Sequence, residues 1–178
     1  MERHEIVEEL IKTNLAVRDF KEEDVPRDVI LRILEIGRLA HSSKNTQPWR
    51  FVVVRDKAKL YEISRTTPTG AHIARASFAI ALFTENAKLP EIDGARAMED
   101  MILYAWSMGI GSCWITNFDE DRVKKLLKAP ASWRLITVIP FGYPRNPKRL
   151  GRKRRKPLSE LACYEEYGKS IMELAEER

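Results

Sequence analysis

Hydrophobic positions recur first at helical spacing along the chain and then in short continuous runs. Ile6, Leu10 and Ile11 predict a helix over Glu2 to Lys12. Asp24 and Pro26 punctuate a second helix, in which Val29, Ile30, Ile33, Leu34 and Ile36 form one apolar face. The polar stretch from His41 to Pro48 ends that pattern. Phe51 to Val54 and Phe78 to Phe83 read as buried strands, separated by a short helix over Lys57 to Ser64 and a loop at Thr66 to Gly70. Asp93 to Met108 predicts a long helix that is apolar on more than one face: Ile102, Leu103 and Trp106 lie on one side, and Met98, Met101, Ala105 and Met108 on another. Such helices are central or sit in subunit interfaces. Gly109 stops the helix. A strand containing Trp114 and Ile115, a surface helix over Asp121 to Leu127 and a strand over Leu135 to Phe141 follow. Leu158 to Glu176 predicts a last helix interrupted near Gly168. Helices and strands interspersed with irregular loops favour an α+β fold over a regular βαβ array.

Composition narrows the class. A chain of 178 residues with 44% hydrophobic and 32% charged positions is expected to form one domain over residues 1–178, with a core of its own. The charged opening and the absence of an apolar run of roughly 18 to 20 residues predict neither an export segment nor a membrane span. Cys113 and Cys163 lie without CxxC partners, which disfavours a zinc knuckle or disulfide framework and suits a reducing, cytoplasmic setting. The single glutamine among abundant Lys, Arg and Glu is a balance often seen in proteins of hot environments.

Charge is uneven. The net charge is +5, yet residues 145–156 alone carry Arg145, Lys148, Arg149, Arg152, Lys153, Arg154, Arg155 and Lys156, so the remainder is slightly acidic. Such a strap suits a phosphate, a nucleic-acid backbone or plain solvation. No aromatic residues interleave with it and no helix-turn-helix or zinc motif accompanies it, so no nucleic-acid partner is expected.

Ser42-Ser-Lys-Asn-Thr-Gln-Pro-Trp49 concentrates hydroxyls, an amide and a cation between a helix and a strand. It is either a polar loop in which Trp49 anchors the next strand, or a loop that offers donors and acceptors to a flat heterocycle. Arg18 lies in the extended Val17-Arg-Asp-Phe20 segment as a surface residue or an anion ligand. Gly109-Ile-Gly-Ser-Cys-Trp114 fails as a dinucleotide fingerprint, because Trp114 replaces the last glycine and the segment follows a helix. His4, His41 and His72 stand apart, so neither a metal site nor a hydrolytic triad is expected.

Taken in order, Val17-Arg-Asp-Phe20, Val25-Pro-Arg27, Ile33 to Ala40, Ser42 to Phe51, Asp93, Gly109 to Trp114, Phe141-Gly-Tyr-Pro144 and Arg155-Lys-Pro-Leu158 resemble the nitroreductase family of FMN oxidoreductases. The Ser-Ser-x-Asn-x-Gln-Pro-Trp loop is the most specific of these pieces. The resemblance implies a three-layer α-β-α sandwich around a mainly antiparallel sheet. It implies a homodimer with FMN at the subunit interface, and NADH or NADPH as electron donor. An electron-poor small-molecule acceptor (nitroaromatic, quinone or flavin) would be reduced by a ping-pong mechanism. By position, His41, Ser42, Ser43 and Asn45 would contact the flavin ring and ribityl chain, Ile115, Thr116 and Asn117 its reactive edge, and Lys153 and Arg155 its phosphate. Asn14, Ala16 and Arg18 complete the expected cofactor contacts, and no side chain is assigned as catalytic. His41 stands where the family usually has proline. Asn14-Leu15-Ala16 stands where it commonly has Arg, Arg or His, then Ser, so a phosphate anchor is missing. Arg18, Lys12 or the surplus cations of the strap are the candidates to replace it. The alternative is a flavin-binding member with weak or no turnover.

Overall fold

The computed structural model describes residues 2–85, 88–147 and 152–175. Its elements are α1 (Arg3–Thr13), α2 (Arg27–Leu39), β1 (Trp49–Val54), α3 (Lys57–Ser64), β2 (Phe78–Thr84), α4 (Pro90–Ser107), β3 (Gly111–Ser112), α5 (Glu120–Leu127) and β4 (Arg134–Gly142). Single 3-10 turns occupy Ser43–Asn45, Ala71–Arg75, Leu158–Glu160 and Ile171–Ala175. Among the described residues the strands form one antiparallel sheet in the order β1-β2-β4-β3.

Every residue of β2 is buried, which explains why its sequence is a continuous apolar run and not an alternation. Its side chains still alternate between two clusters. Phe78, Ile80 and Leu82 pack with Ile30 and Ile33 of α2 and with Met98 and Met101 of α4. Ala79, Ala81 and Phe83 pack with Leu60 and Ile63 of α3 and Val123 of α5. Each face of the central strand therefore has its own core, and the α+β reading holds. Phe78 is in register with Phe141 of β4, and their rings stack at 5.0 Å between centroids. Local chemistry sets the helix ends: Asp56 accepts the Lys59 N–H at the start of α3, and Asp119 accepts that of Arg122 at the start of α5.

Three expectations need correction. The helix expected over Leu158 to Glu176 is replaced by two 3-10 turns among its described residues, Glu176 lying outside them. Leu158, Leu161, Met172 and Leu174 are all exposed, so no packed face repays helix nucleation, and Gly168 sits at φ 96°. The strand expected at Trp114 and Ile115 ends two residues earlier, at Ser112. Ile115 turns into the α3–α5 cluster, and its carbonyl accepts from the side-chain hydroxyl of Thr137 in β4 at 2.7 Å, not from a ladder N–H of that strand. Finally, α4 begins at Pro90, three residues before the expected Asp93, and its turns carry an exposed polar stripe of Arg96, Glu99 and Asp100 beside the apolar faces.

Gly111 is needed for close approach. A Cβ there would lie 2.3 Å from Val17 Cγ2 and 2.7 Å from Val17 Cβ. Val17 is buried and bonded by its N–H to the Ser112 carbonyl at 2.8 Å, so it cannot move aside. Gly111→Ala is expected to destabilise the fold by about 1–3 kcal/mol through overpacking. Urea denaturation, with a lowered midpoint at unchanged slope, checks this.

Candidate functional site

One end of the site is built by the last turn of α1. Asn14 closes that helix, its N–H bonding the Leu10 carbonyl at 2.9 Å, and Thr13 accepts the Trp106 indole N–H at 3.0 Å. Lys153 of the strap donates to the carbonyl of Ile11, the favourable place for a cation at the negative end of a helix. A cleft of about 740 Å³ opens between α1 and the strap. Ile11, Leu15, Trp106 and Pro147 give it an apolar wall, while Lys12, Arg152, Lys153 and Arg155 supply cations. Lys148 and Arg149 of the strap lie outside the described residues.

The chain then pairs Ala16 with Ser112 in a β-bridge, which sets residues 14–18 beside β3. The segment after β3 is fastened from behind. Thr137, fully buried, holds the Ile115 carbonyl; Thr67 donates to the Thr116 carbonyl at 3.2 Å; and the Asp119 N–H bonds the Thr66 carbonyl at 2.7 Å. Asn117 is held at φ 64°. The N–H groups of Thr116 and Asn117 meet no acceptor among the described residues, leaving two fixed donors free. Arg18 lies beside the Cys113 thiol and near His72. Burial pushes the thiol's pKa up, and Arg18 only partly offsets it. Cys113 is a packed residue and not a reactive one.

The polar loop lies elsewhere. The Ser43 N–H and hydroxyl both donate to Asp93 Oδ1, at 2.9 and 3.2 Å, and Asp93 is 1% exposed in the first turns of α4. The Gln47 N–H bonds the Ser42 hydroxyl at 2.9 Å. Lys44, Asn45 and Gln47 all have positive φ (53°, 56° and 48°), and such clusters of strain gather at binding sites. His41 and Ser42 share a shallow cleft with Arg96, Glu99 and Asp100 of α4.

The expected residues thus fall into separate groups. Asn14, Ala16, Lys153 and Arg155 gather near the C-terminal end of α4, Arg18 and the Ile115–Asn117 segment follow the Ala16–Ser112 bridge on either strand and lead away toward Thr67 and Thr137, and His41, Ser42, Ser43 and Asn45 gather at the N-terminal end of α4. Asp93 and Trp106 are separated by about 20 Å of helix. Within one protomer the loop at 42–47 and the strap are therefore not brought together. Sequence reasoning missed Asp93 as the residue that fixes the loop; its acidic side chain in the first turns of an apolar helix was the available signal. It also left the particular cations of the cleft open, because the strap is uniformly basic.

Comparisons with known proteins show the family. The nitroreductase family model matches residues 11–81 and 84–143, and the chain belongs to that family. It is 33% identical over 145 residues to a Methanothermobacter thermautotrophicus protein provisionally named NADH dehydrogenase/NAD(P)H nitroreductase, covering 76% of each chain. A structure from Bacteroides thetaiotaomicron with the same provisional name superposes with TM-score 0.84 at 27% identity, covering 91% of this chain and 98% of that one. An iodotyrosine deiodinase crystallised with FMN and 3-iodo-L-tyrosine superposes with TM-score 0.76 at 25% identity, covering 85% of this chain and 96% of that one. Among the described residues no helix is long and apolar enough to cross a membrane.

Two outcomes follow from the geometry. Asp93→Ala removes the acceptor of two Ser43 donors, so it is expected to cost about 1–3 kcal/mol and to speed amide exchange at Ser43 well above that in α2. Hydrogen exchange by NMR checks both. His72 is buried, its Nε2 has no partner among the described residues, and burial together with Arg18 and Arg75 lowers its pKa below 6.5. The unfolded chain therefore takes up this proton first as pH falls. Stability from His72 is complete above about pH 6.5 and declines toward its lower folded pKa. His72→Gln is expected to flatten the fall in unfolding free energy over that window, measured by urea titration.

Proposed function

We propose that the protein is an FMN-dependent oxidoreductase that uses NADH or NADPH to reduce an electron-poor small molecule, a nitroaromatic, quinone or flavin, by a ping-pong mechanism. The observation that carries this reading is the cationic cleft with its apolar wall, one residue from the Ala16–Ser112 bridge, in a chain of the nitroreductase family. That donor set fits a phosphate monoester joined to a flat ring. Bound FMN would supply the redox chemistry, accepting hydride from the nicotinamide and returning reducing equivalents to the acceptor.

The chain's own residues supply position and charge. Lys153 and Arg155 match the family's phosphate-binding pair, and Asn14, Ala16 and Arg18 lie along the same side of the site. The free N–H groups of Thr116 and Asn117 act as pinned donors at the reactive edge of the ring, so no side-chain acid is required. His41, Ser42, Ser43 and Asn45 serve the site of a second copy. In this reading the protein is a cytoplasmic homodimer of three-layer α-β-α subunits, with two α4 helices running antiparallel across the two-fold axis. Each loop then reaches the other chain's strap. The exposed Leu158, Leu161, Tyr167, Met172 and Leu174 suit burial against the second copy.

A second reading, a flavin-binding protein with weak or no turnover, is favoured by the loss of cation and hydroxyl at Asn14-Leu15-Ala16. Visible absorbance during titration with FMN, followed by anaerobic NADH and then NADPH, separates the two. The enzyme reading expects bound flavin absorbance that bleaches with one nucleotide. Bound flavin that neither nucleotide bleaches supports the second reading, and failure to bind FMN overturns both.

A further inference from the structure

A phosphate dianion seated beside residues 14–16 would find no cation and no hydroxyl there. Asn14 is an amide, Leu15 lies in the apolar wall, and Ala16 has no polar side chain. The dianion would also face the carbonyl end of α1, whose partial negative charge opposes an anion. Lys153 relieves that end, but in doing so it is tied to the Ile11 carbonyl. Arg18 lies toward Cys113 and His72 and does not line the cleft.

Arg155 donates to the carbonyl of Arg154 at 2.9 Å, which leaves Arg152 and Lys12. Both line the cleft, Arg152 from the strap and Lys12 from α1. No carboxylate pairs with Arg152 among the described residues. Lys12 is paired with Glu8 at 2.5 Å, but both side chains are more than half exposed, a weak kind of pair that a dianion can displace. A guanidinium presents two parallel donors to phosphate oxygens, and the wall of Leu15 and Trp106 lowers the local dielectric around that contact.

We propose that Arg152, assisted by Lys12, is the phosphate anchor of this chain and replaces the one absent at residues 14–16. The assignment rests on the FMN reading above and concerns neither Arg18 nor the remaining cations of the strap. Arg154 is the internal control: it is an exposed neighbour of equal charge that does not line the cleft.

The test is equilibrium binding of FMN and of riboflavin to the full chain, read by flavin fluorescence, since riboflavin keeps the ring and lacks the phosphate. The wild type is expected to prefer FMN. Arg152→Gln is expected to weaken FMN about tenfold or more while leaving riboflavin within about twofold, Lys12→Gln to act in the same direction by less, and Arg154→Gln to change neither appreciably. If Arg152→Gln leaves FMN affinity intact, or weakens both flavins equally, the anchor is overturned while the FMN reading stands. If Arg154→Gln weakens FMN as much as Arg152→Gln, diffuse charge holds the phosphate and the specific anchor is overturned. If the wild type binds neither flavin, the FMN reading itself fails and takes the anchor with it.

Discussion

Helix α4 is the ruler of this molecule. Its buried side, from Asp93 through Ala97, Met98 and Met101 to Ala105, is clamped against α2 and the sheet, so its two ends cannot approach each other. One end fixes the Ser42–Gln47 loop through the Asp93 carboxylate, and the other meets α1 through the bond between Trp106 and Thr13. A rigid element about 20 Å long holds two sets of ligand-type residues apart, and in the proposed dimer a second copy lying antiparallel to the first unites them. The polar stripe of Arg96, Glu99 and Asp100 suits that arrangement, because an antiparallel pair can set cation against carboxylate on both sides of the two-fold axis.

Both sets of residues are stiffened by contacts that lie behind them. Thr137 and Thr67 hold the carbonyls of Ile115 and Thr116, which leaves the following N–H groups fixed and unspent. Asp93 holds Ser43 while three neighbouring residues keep positive φ. Donors fixed in advance need no reorganisation when charge develops nearby, and this is how a site without an assigned acid or base can still promote electron and proton transfer. The strap contributes differently, since it brings long-range positive charge, while the carbonyl end of α1 determines which of its cations remain free.

Much of the fold was legible because its elements are paired within the chain. The α3 span was read without error, and β2 nearly so, since their apolar positions meet partners that the same sequence supplies. The last predicted helix failed for the opposite reason: Leu158, Leu161, Met172 and Leu174 have the composition of a helix face but nothing in the protomer to pack on. Trp114 and Ile115 have strand propensity, yet the buried hydroxyl of Thr137 draws the chain out of the ladder at that point. The loop at Ser42–Gln47 stood out from its residue types. Asp93 did not, because its role depends on a bond to Ser43, fifty positions earlier in the chain. Among the basic residues of 145–156, composition could not distinguish Lys153, held by Ile11, from Arg152, which has no carboxylate partner among the described residues.

The claim that two chains share each site is tested most directly by mixing two disabled variants. One carries Ser42→Ala with Asn45→Ala, and the other carries Arg152→Gln, Lys153→Gln and Arg155→Gln; they are unfolded and refolded together. If each site draws its loop from one chain and its strap from the other, mixed dimers regain one intact site. About a quarter of all sites should then bind FMN with wild-type affinity, although neither variant does so alone. A mixture that binds no better than its separate components would place the loop and the strap in the same chain's site and contradict the account.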